Sequence, residues 1–246
     1  MDLGLTDRVY IVGGGTRGLG FAVARTLTAE GARVLLSGRD AGSLAAAVAE
    51  LGEPLATGVV ANSADPTGPE RLAAAALDRW GRLDGALVNG GGPPLGGALE
   101  MPDDAWRDSF ESVFLGAVRM ARVISGQLAE GGSLALVLST SARVPIPGLD
   151  ISNGLRPGLA MLTKSLATQL GGRGIRVNAL LPGRIRTQRT GYVDAGTTGS
   201  SGTAIPLGRI GEPSEFGRVA AFMLSPAASY LSGVTIPVDG GATQAY

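Results

Sequence analysis

Six short runs, apolar enough to be buried on both faces, recur along the chain with longer helical stretches between them. They are RVYIVGGG at 8–15, ARVLLSGR at 32–39, LATGVVAN at 55–62, LDGALVNG at 83–90, SLALVLST at 133–140 and IRVNALLPG at 175–183. Strands of this kind need cover on both sides, which antiparallel hairpins do not supply and intervening helices do. The pattern predicts an α/β fold with a doubly wound parallel sheet. A further run, GVTIPVDGG at 233–241, supplies a seventh strand, and its internal Pro237 places it at an edge or a strand end. At 246 residues with 44% hydrophobic side chains, the chain suits one domain over 1–246. The Gly-, Thr- and Ser-rich stretch around 188–204 reads as a mobile substrate loop.

Charge and residue usage remove several functions. Lys plus Arg and Asp plus Glu cancel at 21 each, without a basic cluster, so no nucleic-acid partner is expected. No apolar run reaches the roughly 18 to 20 residues that cross a bilayer, and no signal peptide precedes the first strand, so a cytoplasmic protein without a membrane partner is expected. The chain has no Cys and no His. That excludes disulfides, thiolate nucleophiles, Ser-His-Asp triads and the usual zinc sites, and no metal is expected. Chemistry must come from hydroxyls, carboxylates, arginines or a bound cofactor.

YIVGGGTRGLGFAVARTL places Gly14, Thr16, Arg17, Gly18, Leu19 and Gly20 between the first strand and a helix. Glycines there allow a tight turn and let a pyrophosphate approach the amide groups at the helix N-terminus. The second strand ends in Ser37, Gly38 and Arg39 rather than in the acid that holds a ribose 2′-hydroxyl, and Arg17 could approach the same region. An arginine suits a 2′-phosphate, so NADP(H) is favoured over NAD(H). The competing readings are that Arg39 caps a solvated strand end and that Asp40 points inward.

These motifs, with LVNGGG at 87–92, RGIRVNALLPGRIRT at 173–187 and PLGRIGEPSEFGRVAAFMLSPAASYLSGVTIPVDGG at 206–241, resemble the short-chain dehydrogenase/reductase family over nearly the whole length. The resemblance implies a single-domain Rossmann fold with a seven-stranded parallel sheet, a homo-oligomer (tetramer or dimer), and NAD(P)-linked interconversion of carbonyls and alcohols in a small-molecule substrate. Carried over by position, it puts Asn62 and Ser63 near the adenine and Asn89, Gly90 and Gly91 along the cofactor. Pro182, Gly183, Ile185 and Thr187 fall at the nicotinamide carboxamide.

The proton-transfer residues depart from the family pattern. Where it has a Tyr four residues before a Lys, this chain has Ser152 and Arg156, and the family's helical Asn is Val113. The only lysine, Lys164, lies two turns beyond Arg156, roughly 12 Å along the helix axis at 1.5 Å per residue. The family serine falls at Ser139 by its offset from Ser152, with Ser141 an alternative. A serine hydroxyl is a poor proton donor, whereas Arg156 offers a fork of donors to the nicotinamide ribose, a developing oxyanion or a substrate carboxylate, or makes a structural ion pair. Pro157 suits a first helical turn, so the helix is expected to start near Asn153 with Ser152 or Asn153 as N-cap. Tyr192 is a further candidate acid, on the loop.

Three functions follow from this pattern: an NADP-dependent oxidoreductase with an atypical site, a catalytically silent NADP-binding or scaffold subunit, and a non-redox reaction such as elimination on the same fold. The segments expected to meet substrate, 92–100, 144–150 and 188–204, are apolar and Gly-rich. Their nearby charges are Arg143, Arg186 and Arg189, which favour an acyl or anionic substrate. The helical stretches at 109–125 and 156–170 carry more apolar surface than one sheet face covers, as helices paired between subunits do.

Overall fold

The computed structural model describes residues 1–191 and 205–244. Strands β1 (Val9–Val12), β2 (Arg33–Gly38), β3 (Ala56–Val60), β4 (Gly85–Val88), β5 (Ser133–Val137), β6 (Arg176–Pro182) and β7 (Thr235–Val238) form one sheet in the order β3-β2-β1-β4-β5-β6-β7. Every pairing is parallel, with Tyr10 opposite both Val34 and Gly85. The chain winds outward from β1 to β3, returns to lay β4 beside β1, and winds the other way. The β1/β4 boundary is therefore the switch point, where loops diverge and leave a crevice at the carboxyl ends of the strands. Pro237 sits in β7, an edge strand, as expected.

Alternation along β1 explains the two layers. Tyr10 and Val12 pack with Val23 and Leu27 of helix α1 (Gly18–Ala29), Leu44 of α2 (Ala41–Leu51) and Phe216 of α7 (Pro213–Leu224). Val9 and Ile11 face the opposite way, toward Leu72 of α3 (Gly68–Trp80), Ile124 of α5 (Gly116–Gln127) and Leu159 of α6 (Asp150–Gly171). A short α4 (Asp103–Ser109) leads through one π-helical turn, Phe110–Leu115, into α5.

The amino ends of the strands are closed by polar bonds. Asp84 is 4% exposed and accepts from the Val9 amide (2.8 Å), from Arg8 (3.1 Å) and from both Nε and Nη2 of Arg82 (2.9 and 2.7 Å). Buried Arg176 donates to the carbonyls of Met223, Leu224 and Ser225 at 2.8, 3.2 and 2.8 Å, capping the end of α7. Ser133 Oγ adds a bond to the Leu224 carbonyl at 2.6 Å.

Two local expectations are corrected. Helix α6 begins at Asp150, one turn before Asn153, so Pro157 lies inside it and neither Ser152 nor Asn153 is the N-cap. Pro157 has no N–H for the Asn153 carbonyl, yet the helix runs through because its face toward the sheet is buried at Ile151, Ser152, Arg156, Leu159 and Thr163. The supposed loop begins with helical residues 188–191, the Thr187 hydroxyl accepting the Thr190 amide at 3.2 Å. The remainder of that stretch, 192–204 with Tyr192, lies outside the described residues.

Candidate functional site

At the carboxyl end of β1 the chain turns through Gly14 (φ +57°) and Gly18 (φ +58°), a left-handed backbone that favours glycine. A Cβ on Gly20 would stand 2.2 Å from the Gly14 carbonyl oxygen, so the loop folds back on α1 only because that side chain is absent. Asn89, just past β4, donates its Nδ2 to the Gly13 carbonyl at 3.0 Å and ties the loop across the switch point. Helix α1 starts with no side-chain cap and no acid in its first turn. Its N-terminal amides and dipole thus suit an external anion such as a dinucleotide diphosphate.

Around this loop lie the other candidate cofactor residues. Asp40 is turned to α2, accepting from the Ser43 amide (2.8 Å) and hydroxyl (2.6 Å), which hold its carboxyl below the usual range. It does not point inward. Arg39 is exposed and without a hydrogen bond or ion pair among the described residues. Arg17 does not join it: its Nη1 donates to Gln188 Oε1 at 2.7 Å, across the mouth of the crevice. Thr16 packs on Gly38, Ser63 lies against Gly90, and Asn62 accepts the Ala64 amide at 3.2 Å. Leu19 packs on the core face of α1. Gly91 has open space around its Cα, and Gly183 packs on Asp239. Ile185, following Pro182 at the end of β6, is buried and bridges to Gly211, and the Thr187 methyl lies 3.6 Å from the position of a Cβ on Gly18. These residues fit a dinucleotide lying along the strand ends.

The remaining candidates converge beyond β5. Ser139 caps the 3-10 turn Thr140–Ala142, its Oγ accepting the Ser141 amide at 3.1 Å. That turn aims Ser141 Oγ at Ser152 Oγ, 2.9 Å away, and both residues are buried. The hydroxyl pair is therefore Ser141 with Ser152, although residue spacing pointed to Ser139. One turn along α6, Arg156 is 7% exposed and donates Nη1 to the Val137 carbonyl at 2.8 Å. Its Nε is sealed from solvent without an acceptor. Burial, reinforced by the charge of Arg189, pushes the Arg156 guanidinium down to about 10, still cationic at neutral pH. The expectation of a structural ion pair fails, since no carboxylate meets Arg156 among the described residues.

The three arginines expected near substrate lie in three different places. Arg143 donates to Thr235 on β7, and Arg186 pairs with Glu212 on the surface. Arg189 instead reaches over Gly92 and donates to the Pro93 carbonyl at 2.5 Å. Lys164 is exposed on α6, and Val113 is buried in the π-helical turn.

Residue patterns gave Asn153 no more than a capping role, and Asp150 none. Asn153 accepts the Ile146 amide (2.9 Å) and donates to the Ile146 carbonyl and to Asp150 (both 3.0 Å). Asp150 accepts the Ala98 amide at 2.8 Å, joining the two walls of the crevice. Among the described residues, no His, Cys, Asp or Glu cluster is placed to hold a metal ion. No helix among them is long and apolar enough to cross a membrane.

A single doubly wound sheet with a glycine-bearing helix N-terminus at its switch point defines a Rossmann-type α/β protein. The comparisons narrow the class: the chain belongs to the short-chain dehydrogenase/reductase family of oxidoreductases. A family model described as enoyl-(acyl carrier protein) reductase matches residues 14–243. Dehydrogenase/reductase SDR family member 4 of Bos taurus is 34% identical over 244 residues, covering 96% of this chain and 88% of that protein. A short-chain dehydrogenase/reductase (glucose/ribitol dehydrogenase) structure from Brucella melitensis superposes with a TM-score of 0.94 at 28% identity, covering 100% of both chains. L-Sorbose reductase from Gluconobacter frateurii, solved with NADPH and L-sorbose, gives 0.91 at 27% identity, again over 100% of both chains.

Proposed function

We propose that this chain is an NADP(H)-dependent oxidoreductase that interconverts a carbonyl and an alcohol through an atypical proton-delivery site. The observation that carries it is the placement of the uncapped α1 N-terminus and the buried Ser141–Ser152–Arg156 group at the same end of one sheet. The nicotinamide supplies or accepts the hydride when bound. Gly14, Thr16, Arg17, Gly18, Leu19 and Gly20 hold the diphosphate, Arg39 takes the 2′-phosphate, and Asn62 and Ser63 border the adenine. Asn89, Gly90 and Gly91 line the middle of the cofactor, with Pro182, Gly183, Ile185 and Thr187 at the carboxamide.

The carbonyl oxygen of a small-molecule substrate lies on the Ser141–Ser152 hydroxyls, and Arg156 stabilises negative charge developing there. A proton passes to that oxygen along the hydroxyl pair and is replaced from water. The NADPH complex of the sorbose reductase supports the cofactor class, and exposed Arg39 supports the phosphorylated form. The same reading carries a cytoplasmic homo-oligomer, dimer or tetramer. It would pair α5 and α6 faces near exposed Phe110 and Met161.

A second reading, a silent NADP-binding subunit, draws on one observation: among the described residues, Ser152 is bonded to the Ser141 hydroxyl and Arg156 to the Val137 carbonyl, and neither meets a phenol or carboxylic acid. A third, elimination on the same fold, needs no such donor. The test is NADPH binding by nucleotide fluorescence, followed by NADPH oxidation with ketones, acyl thioesters and quinones. Turnover with tight binding supports the first reading. Binding without turnover, unaltered by Ser152→Tyr with Arg156→Lys, supports the second, and substrate loss at constant nucleotide absorbance supports the third.

A further inference from the structure

The chain has four asparagines, and two of them, Asn89 and Asn153, are followed by glycine. Asparagine is a thermolabile residue, and a following glycine exposes it most, because no Cβ shields the next amide nitrogen from the side-chain carbon. The two pairs are held in contrasting ways. Asn153 lies inside α6, where the Gly154 amide is engaged by the preceding turn, and its side chain spends both ends on Ile146 and Asp150.

Asn89 stands just past β4 with its side chain on a single bond, Nδ2 to the Gly13 carbonyl, and its Oδ1 has no donor among the described residues. Gly90 is exposed, and its amide makes no hydrogen bond among those residues. Nothing in the fold demands glycine there. Its φ lies outside the left-handed region, and a Cβ would meet nothing closer than 3.7 Å, at the Ser112 carbonyl and Ser63 Oγ. The other asparagines lack this combination: Asn62 accepts the Ala64 amide and precedes Ser63, and buried Asn178 is held by the Leu231 carbonyl and the Val234 amide.

We propose that Asn89–Gly90 is a site of spontaneous deamidation that disables the cofactor crevice, the loss of function resting on the oxidoreductase reading above. The Gly90 nitrogen bonds to Asn89 Cγ and passes its proton to the side-chain nitrogen, which leaves as ammonia. Water then opens the five-membered imide at either carbonyl, giving aspartate or isoaspartate with no change of oxidation state. In the aspartate product an acceptor faces the Gly13 carbonyl in place of a donor, and a negative charge stands at the switch point beside the glycine loop. The isoaspartate product also lengthens the backbone by one atom between β4 and Gly91. Both oppose a dinucleotide diphosphate.

The experiment ages nucleotide-free protein at mildly alkaline pH and follows each asparagine peptide by mass. Asn89 should convert at least about tenfold faster than Asn62, Asn153 and Asn178, the ratio that one missing hydrogen bond allows. Gly90→Ala, with its thermal midpoint retained, should bring Asn89 down to the rate of the others. Aged wild-type protein should lose NADPH binding, read by nucleotide fluorescence, in step with conversion, and fresh Asn89→Asp should bind NADPH about tenfold more weakly than fresh wild type. Conversion of Asn89 no faster than that of Asn153, or unaltered by Gly90→Ala, overturns the site, and conversion with NADPH binding intact overturns its effect. Should fresh protein not bind NADPH, the oxidoreductase reading falls by itself, and the mass measurement still decides the site.

Discussion

The two ends of the sheet handle buried charge in opposite ways. At the amino end, Asp84 and Arg176 each collect several bonds and join β1, β4, β6 and α7. At the carboxyl end, Arg156 is equally buried, with one carbonyl and no counter-ion among the described residues. A buried cation that is only partly compensated costs more stability than one with its donors filled, although burial lowers the pKa of Arg176 as well. Stability is therefore concentrated at the end away from the crevice, and the crevice holds the unspent charge.

The comparison breaks most sharply at Asp84. Asp84→Ala leaves the Val9 amide and two arginines without their acceptor and should cost about 4 kcal/mol. That would lower the thermal midpoint by roughly 10 °C in a chain of this size, read by calorimetry, with NADPH affinity of the folded protein unchanged. Arg176→Met should cost about 3 kcal/mol in denaturant unfolding, because three carbonyls lose their donor. Arg156→Met should do the reverse and raise stability by about 2 kcal/mol. A loss of stability in that variant would put the two ends on the same footing.

The pH dependence of Arg156 sharpens the point. Its guanidinium is depressed to about 10, below the ordinary arginine range, so between the folded and unfolded values the unfolded chain holds more protons than the folded one. The full penalty is present below pH 10 and fades as pH rises through and beyond it. The stability gap between wild type and Arg156→Met should therefore narrow from pH 7.5 to 10.5 in urea titrations. Tyr10, whose phenol burial pushes up, destabilises both proteins alike at high pH and drops out of the difference. The smallest effect belongs to Ser152→Ala, which leaves Ser141 unpaired and should cost about 1 kcal/mol by the same titration.

Strand positions, parallel pairing and layering were legible because period and burial speak directly through sequence. The start of α6 was not: Pro157 marks a first turn by local rule, while the buried face of the helix carries it a full turn earlier. That Ser141 rather than Ser139 bonds to Ser152 depends on a 3-10 turn that spacing does not reveal. Arg143, Arg186 and Arg189 looked equivalent in sequence, and tertiary contacts alone separate them. The Thr187 cap on the helical turn at 188–191 was obscured by the surrounding Gly and Ser.

The pairing of Tyr10 with Gly85 joins strands from opposite windings of the chain, and Asp84 on the Val9 amide spans 75 residues at the same seam. Closing so long a loop costs entropy that no local contact repays, so the crevice takes shape only once the two windings have docked. A ligand lying along that seam touches both halves and draws the chain toward its docked state by mass action. Nucleotide would thus act on this protein as a folding partner before it acts as a reagent.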